Sequence, residues 1–174
     1  MIKGKRIFLR KVEVGDADQL LAWSKNPRYQ YLAGFSHYED LDQAREGARI
    51  YHDRPASYLI CLKDGTRIGL AELYPRTEDT REVGFMLDEA YEGRGYMTES
   101  LAVLYDQAKE CGIAEIWACC RDDNLPPQRL LTKMGFREQY KVDYRQIPPF
   151  FNFSAKYYLL KLAEWNKIET NTKS

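Results

Sequence analysis

The chain has 174 residues, and its 26 Lys plus Arg balance its 26 Asp plus Glu. It therefore lacks the basic excess that nucleic acids or anionic membranes select. Apolar residues at 44% and charged residues at 30% describe a globular chain with one core, and no apolar run has the length of a bilayer span or the place of a signal peptide.

These balances predict a cytoplasmic protein with no nucleic-acid and no membrane partner. Cys61, Cys111, Cys119 and Cys120 form no C-x-x-C pair and lie far in sequence from His37 and His52, so no metal site is expected. The thiols read as small buried hydrophobes in a reducing compartment.

In chain order, Lys5 to Arg10 opens a strand. Asp16 is placed as an N-cap with Gln19 three residues on, and Leu20, Leu21 and Trp23 form an apolar stripe before Pro27 ends the helix. A second helix is predicted from Asp40 to the residue before Pro55, with Leu41, Ala44, Ala48 and Tyr51 on one face. Between them, the aromatic segment from Arg28 to Tyr38 is predicted as a loop that either walls a pocket or packs on the core. Strands follow at Tyr58 to Lys63, Arg67 to Tyr74 and Arg81 to Asp88. Asp64-Gly65 makes the first connection a hairpin, and the polar stretch from Pro75 to Thr80 continues the meander.

Met97, Leu101, Leu104, Tyr105 and Ala108 then recur at helical spacing, with Gly112 as the C-terminal cap. A strand at Glu115 to Cys120, a short helix at Leu125 to Met134 and two strands near Phe136 to Tyr144 and Phe153 to Leu162 complete the order βααβββαβαββ. The fold class is mixed α/β.

The stretch from Val83 to Ser100 carries the most chemical information. A strand enters a Gly-rich corner and the corner enters a long helix. Gly93 and Gly95 permit a tight turn with bare N–H groups, and a helix N-terminus adds unpaired donors and partial positive charge, which suits a pyrophosphate. The pattern is neither a nucleoside-triphosphate loop nor a dinucleotide fingerprint, and a plain strand-to-helix connection is the alternative.

Glu92-Gly-Arg-Gly-Tyr-Met-Thr-Glu99 resembles the pyrophosphate loop of the GNAT acetyltransferase superfamily. Asn124 followed by Lys133-Met-Gly-Phe136 resembles that family's second coenzyme A motif. Ile7-Phe-Leu-Arg10 with Asp16, and Tyr157-Tyr-Leu-Leu160 with Glu164-Trp165, resemble the ribosomal-protein N-acetyltransferase branch.

The resemblance implies a single GNAT domain over residues 1–168 with a polar tail at 169–174. It also implies a mostly antiparallel twisted sheet of about seven strands with about four helices, whose splayed strands form an acetyl-CoA cleft. The activity implied is acetyl transfer from acetyl-CoA to an amine, either a protein N-terminus or a small molecule. Met86 and Leu87 would pair with pantetheine. Glu92, Gly93, Arg94, Gly95, Tyr96, Met97 and Thr98 would hold the pyrophosphate, and Gly84 suits a strand that a ligand approaches closely.

Asn124 precedes Pro126 and Pro127, which offer no N–H for an N-cap. Its amide is thus free for coenzyme A, or for steadying its loop. Glu82 shares a face with Gly84 and Met86 and stands where family members carry a general base, with a cross-strand salt bridge to an Arg as the alternative and Glu72 as the rival base.

Leu131 and Pro127 replace the hydroxyl residues that the family often uses, and Ala90 replaces a Gln or Arg at the loop. A catalytically weak acetyl-CoA-binding sensor or interaction module is therefore the second hypothesis. Oligomeric state, homodimer included, is open in the sequence.

Overall fold

A computed structural model describes residues 1–166; the expected tail at 169–174 lies outside them. The strands are β1 (Ile2–Lys3), β2 (Ile7–Lys11), β3 (Ser57–Leu62), β4 (Arg67–Pro75), β5 (Thr80–Leu87), β6 (Glu115–Arg121), β7 (Arg137–Asp143) and β8 (Ser154–Lys161). The helices are α1 (Ala17–Ser24), α2 (Pro27–Ala33), α3 (Leu41–Asp53), α4 (Tyr96–Glu110) and α5 (Leu125–Lys133), with 3-10 turns at Val14–Asp16 and Glu89–Tyr91. The fold is mixed α/β as expected, with strand order β1-β2-β3-β4-β5-β6-β8-β7 and a parallel pair, β5 with β6, in a mostly antiparallel sheet. Among the described residues no helix is long and apolar enough to cross a membrane.

The described residues form eight strands and five helices, in keeping with the expected about seven and about four. The added strand, β1, is two residues pairing Ile2 with Leu9 and Lys3 with Phe8, too short to leave an alternation. The added helix, α2, occupies the expected loop. Pro27 begins this helix, at N1, where its missing N–H costs nothing. Asn26 caps it by accepting from the Arg28 N–H at 3.0 Å. Three of the aromatic residues around it pack on the core: Tyr29, Phe35 and Tyr38 are buried, and Phe35 stacks with Tyr51 at 6.4 Å, whereas Tyr31 is exposed.

The chain forms two compact units, Met1–Leu73 with Gly84–Val103, and Tyr74–Val83 with the chain from Leu104. In the first, β1 to β4 form an antiparallel meander. Leu20, Trp23, Ala44, Ala48 and Tyr51 from α1 and α3 share its core with Leu59, Leu70 and Met86. In the second unit, β6 pairs antiparallel with β8 from Glu115↔Lys161 to Arg121↔Ala155, and β8 with β7. The parallel ladder of β5 with β6 spans Thr80↔Glu115 to Val83↔Ala118. Ile116, Ala118, Tyr158 and Leu160 are buried there, as is Tyr105, whose ring meets Phe136 at 5.9 Å and Trp165 at 5.5 Å.

Asp16 differs from its expected role. Its side chain makes no capping bond to α1; it accepts from Arg10 Nη1 and Nη2 at 2.7 Å each and from the Glu13 N–H at 2.9 Å. Burial pushes this carboxyl up, but the Arg10, Glu13 and Arg67 hydrogen bonds outweigh it and hold the group below the ordinary carboxylate range. A folded-state value below the unfolded one means that the contribution to stability is complete above the unfolded value of about 3.9. It is lost as pH falls through the folded value. Asp16→Asn is expected to cost roughly 3 kcal/mol at neutral pH, by stripping the charge partner from Arg10. Urea unfolding should also show a shallower fall in stability on acidification than wild type below about pH 4.

Candidate functional site

The first unit carries the Gly-rich corner. Three side chains pin the segment that leads into it. Asp88 caps the 3-10 turn by accepting from the Ala90 N–H at 3.0 Å, and its other oxygen accepts from Trp23 Nε1 at 2.9 Å. Tyr29 Oη accepts from the Glu89 N–H at 2.8 Å. Arg28 donates to both oxygens of Glu92, at 2.9 and 3.0 Å, and to Glu89 at 3.2 Å. The helix missed in the sequence thus holds Glu92 in place. Ala90 is exposed and takes no part in this through its side chain.

Gly93 and Gly95 adopt φ of 71° and 77°, the left-handed region where a Cβ is strained. Among the described residues, the N–H groups of Gly93, Arg94, Gly95, Tyr96, Met97 and Thr98 have no protein acceptor. Pairing resumes with Glu99 N–H to the Gly95 carbonyl at 3.1 Å. Gly93, Arg94 and Gly95 are exposed. A run of bare donors opening the 15-residue helix α4 gives the main chain a geometry suited to an anion, one that an electrically neutral protein can offer. Met86 and Met97 bury their side chains while Leu87 is half-buried, so Met86 and Met97 have chiefly backbone to offer a ligand. Opposite Met86 stands Gly69, whose absent Cβ would lie 2.3 Å from the Met86 carbonyl oxygen. This close approach of two backbones on β4 is at a residue the sequence did not single out.

Glu72, the rival base, belongs to this unit. It is buried and paired with Arg54 at 2.9 Å, so its carboxylate is already committed to a cation.

The second unit carries Glu82 and Asn124. Glu82 lies opposite Trp117 in the parallel ladder. Arg76 Nη1 stands 3.9 Å from its Oε2, and the same guanidinium covers the Trp117 ring at 4.7 Å. That separation is a loose ion pair, not a hydrogen bond, and the partner comes from the turn before β5 and not from a neighbouring strand. The Glu82 side chain is 35% exposed and accepts no hydrogen bond among the described residues. It is thus available to solvent.

Cys119 is on the same face of β6 as Trp117, and Tyr157 of β8 faces it. Crowding by surrounding side chains pushes the Cys119 thiol up, a shift reduced by the Tyr157 hydroxyl and reinforced by the Glu82 charge. Burial and the 2.5 Å bond to Tyr144 Oη push the Tyr157 phenol up strongly. Tyr140 stacks on Tyr157 at 4.9 Å and meets Trp117 at 6.2 Å. Glu82 therefore sits at the margin of an aromatic face.

The expected burial of all four thiols is corrected here. Cys61 and Cys120 are buried, but Cys111 and Cys119 are exposed. Strand alternation sends the adjacent Cys119 and Cys120 to opposite faces, and Cys111 follows the end of α4.

Asn124 has φ −94° and ψ 86° ahead of α5 and makes no side-chain capping bond, as the two prolines require. Steadying of its loop is performed by Gln128, whose Nε2 donates to the carbonyls of Arg121 at 2.9 Å and Asp122 at 3.0 Å. The Asn124 amide is itself unbonded among the described residues. Leu131 is fully buried in the core and Pro127 half-buried, so neither position supplies a proton. The sequence assigns no role to Arg6 or to the side chain of Tyr157, and places Tyr144 only in a segment, Tyr144 to Phe153, expected to line the acceptor's entrance. The Tyr157-Tyr-Leu-Leu160 pattern was the one signal for Tyr157.

A sequence profile of the acetyltransferase (GNAT) domain matches residues 6–137. An uncharacterized N-acetyltransferase of Bacillus subtilis, YnaD, is 30% identical over 170 residues, covering 95% of this chain and 99% of that protein. Two solved structures share the fold. The acetyltransferase from Salmonella typhimurium that modifies the N-terminal serine of ribosomal protein L7/L12 has a TM-score of 0.75 at 19% identity, covering 90% of this chain and 95% of that one. The spermidine N-acetyltransferase from Vibrio cholerae, solved with CoA and spermine, has a TM-score of 0.78 at 17% identity, covering 91% and 96%.

Proposed function

Since the chain belongs to the GNAT acetyltransferase family, a family of enzymes whose cosubstrate is acetyl-CoA, we propose that it acetylates a primary amine, a protein N-terminus or a small molecule, with Glu82 as general base. The observation that supports this most is the run of unpaired N–H groups from Gly93 to Thr98, which suits a diphosphate and little else in a neutral chain. Met86 and Leu87 would take the pantetheine arm through their backbone, Glu92 would shape the loop from its Arg28 clamp, and Asn124 would hold coenzyme A through its free amide. The whole of residues 1–168 would work as one catalytic domain.

Acetyl-CoA supplies an activated acetyl thioester. An amine must be neutral to attack it, and the Glu82 carboxylate can take the proton directly or through a water. A thiol of ordinary pKa near 8.5 leaves as thiolate without obligatory protonation, so the hydroxyls lost at Leu131 and Pro127 do not forbid turnover. The aromatic face beside Glu82 offers an acceptor apolar area and ring faces for a cation.

The missing hydroxyls favour a second possibility, a binder of acetyl-CoA without turnover. Purified protein incubated with acetyl-CoA and a panel of N-terminal peptides, polyamines and small amines should release free thiol above the amine-free rate for at least one acceptor. Thermal stabilisation by coenzyme A with no thiol release for any of them would establish the binder instead.

A further inference from the structure

We propose that Arg6 is the positioning residue of the diphosphate corner, holding the loop in shape and cancelling a carboxylate that would otherwise repel the ligand. This rests on the corner being the coenzyme A diphosphate site.

Arg6 stands just ahead of β2. Its backbone N–H donates to Glu99 Oε1 at 2.6 Å, its Nε to Glu99 Oε2 at 2.8 Å, and its Nη1 to the Arg94 carbonyl at 2.9 Å. Its guanidinium also covers the Tyr96 ring at 4.8 Å. Three consecutive features of the corner are therefore gripped by one side chain: the residue between the two left-handed glycines, the first residue of α4, and the acid in that helix's first turn. The Arg6 bond to the Arg94 carbonyl is the one side-chain hydrogen bond to the Glu92–Gly95 carbonyls among the described residues.

Charge makes the second half of the case. Glu99 is 4% exposed. An acid in a first turn complements the helix dipole, but beside a bound diphosphate it is a like charge in a poorly screened place. Arg6 neutralises it through a two-point grip. One amino group remains. Arg6 Nη2 has no partner among the described residues and lies 3.3 Å from where a Gly95 Cβ would stand. A cationic donor is thus left over at the surface of the loop, where an anion would meet it.

The test compares ligands with and without a diphosphate. Arg6→Gln is expected to weaken coenzyme A binding, measured by calorimetry, by about 10- to 100-fold, the range of a charge-assisted contact. It should raise KM for acetyl-CoA similarly with little change in kcat, and leave kcat/KM for S-acetylpantetheine, which has no diphosphate, within about twofold. Arg6→Lys should recover part of the loss by restoring charge without the fork. Adding Glu99→Gln to Arg6→Gln should also recover part, by removing the stranded carboxylate.

Equal losses on both thioesters, or coenzyme A affinity within threefold of wild type in Arg6→Gln, would overturn the role. If Arg6→Gln does not fold, Arg6→Lys and Glu99→Gln carry the same two-thioester comparison. Failure of the underlying site assignment looks different. In that case wild type gains nothing from the diphosphate, with coenzyme A and pantetheine binding alike.

Discussion

Gly95→Val is expected to lower coenzyme A affinity by about 100-fold or more while the protein stays folded. Gly95 has φ of 77°, and a β-branched residue there is strained by roughly 1–3 kcal/mol. The cheapest relief is to leave the left-handed region, which turns the corner's N–H groups away from their present course. If the backbone holds instead, the new Cβ reaches Arg6 Nη2 at 3.3 Å and its methyl groups crowd the cationic donor beside the corner. Either response removes what a diphosphate would bind. The loss is local because Gly95 is exposed and packs nothing. Calorimetric titration with coenzyme A reads it directly, with thermal melting as the control for folding. Affinity within a few-fold of wild type would mean that this corner is not the phosphate cradle.

Gly93 separates two versions of the same idea. Nothing lies within 4 Å of a Cβ built there, so substitution at Gly93 strains the backbone without touching Arg6. A milder loss in Gly93→Ala than in Gly95→Ala would follow from the contact with Arg6, and equal losses from backbone strain alone.

The elements that were legible in the sequence are those whose signal is local. The stripe from Met97 to Ala108 fixed α4, Asp64-Gly65 marked the β3–β4 hairpin, and the two prolines after Asn124 announced an amide without a capping duty. Each depends on residues within a turn or two of one another. What stayed hidden depends on tertiary partners. Asp16 looks like an N-cap by position, but Arg10 and Arg67 arrive from β2 and β4 and claim its carboxylate. Pro27 is equally a helix stop and a helix start, and only the chain beyond it decides. Arg6 and Glu99 are 93 residues apart, and no spacing rule connects a residue at the edge of a strand with one in a later helix. Even Cys119 and Cys120, neighbours in sequence, needed the pairing of β6 with β8 before their faces could be told apart.

Glu82→Gln should cut kcat/KM for the amine by about 100-fold near neutral pH, the low end of what a positioned base contributes, with coenzyme A affinity within twofold of wild type. The amide keeps the shape of the carboxylate and its place opposite Trp117, so the Arg76 guanidinium over that ring has no cause to move; the 3.9 Å ion pair it loses is loose and half-exposed, worth little to stability. What disappears is the capacity to accept a proton. An amine entering as its ammonium form must then lose that proton to bulk water. The variant should regain rate as the pH rises toward the amine's own pKa, whereas wild type should have levelled off earlier. A conserved profile and rate would remove the role from Glu82. Glu72 could inherit it only by releasing Arg54, which holds it at 2.9 Å in a buried setting. Glu72→Gln would then slow turnover and lower the melting temperature together, whereas Glu82→Gln should slow turnover alone.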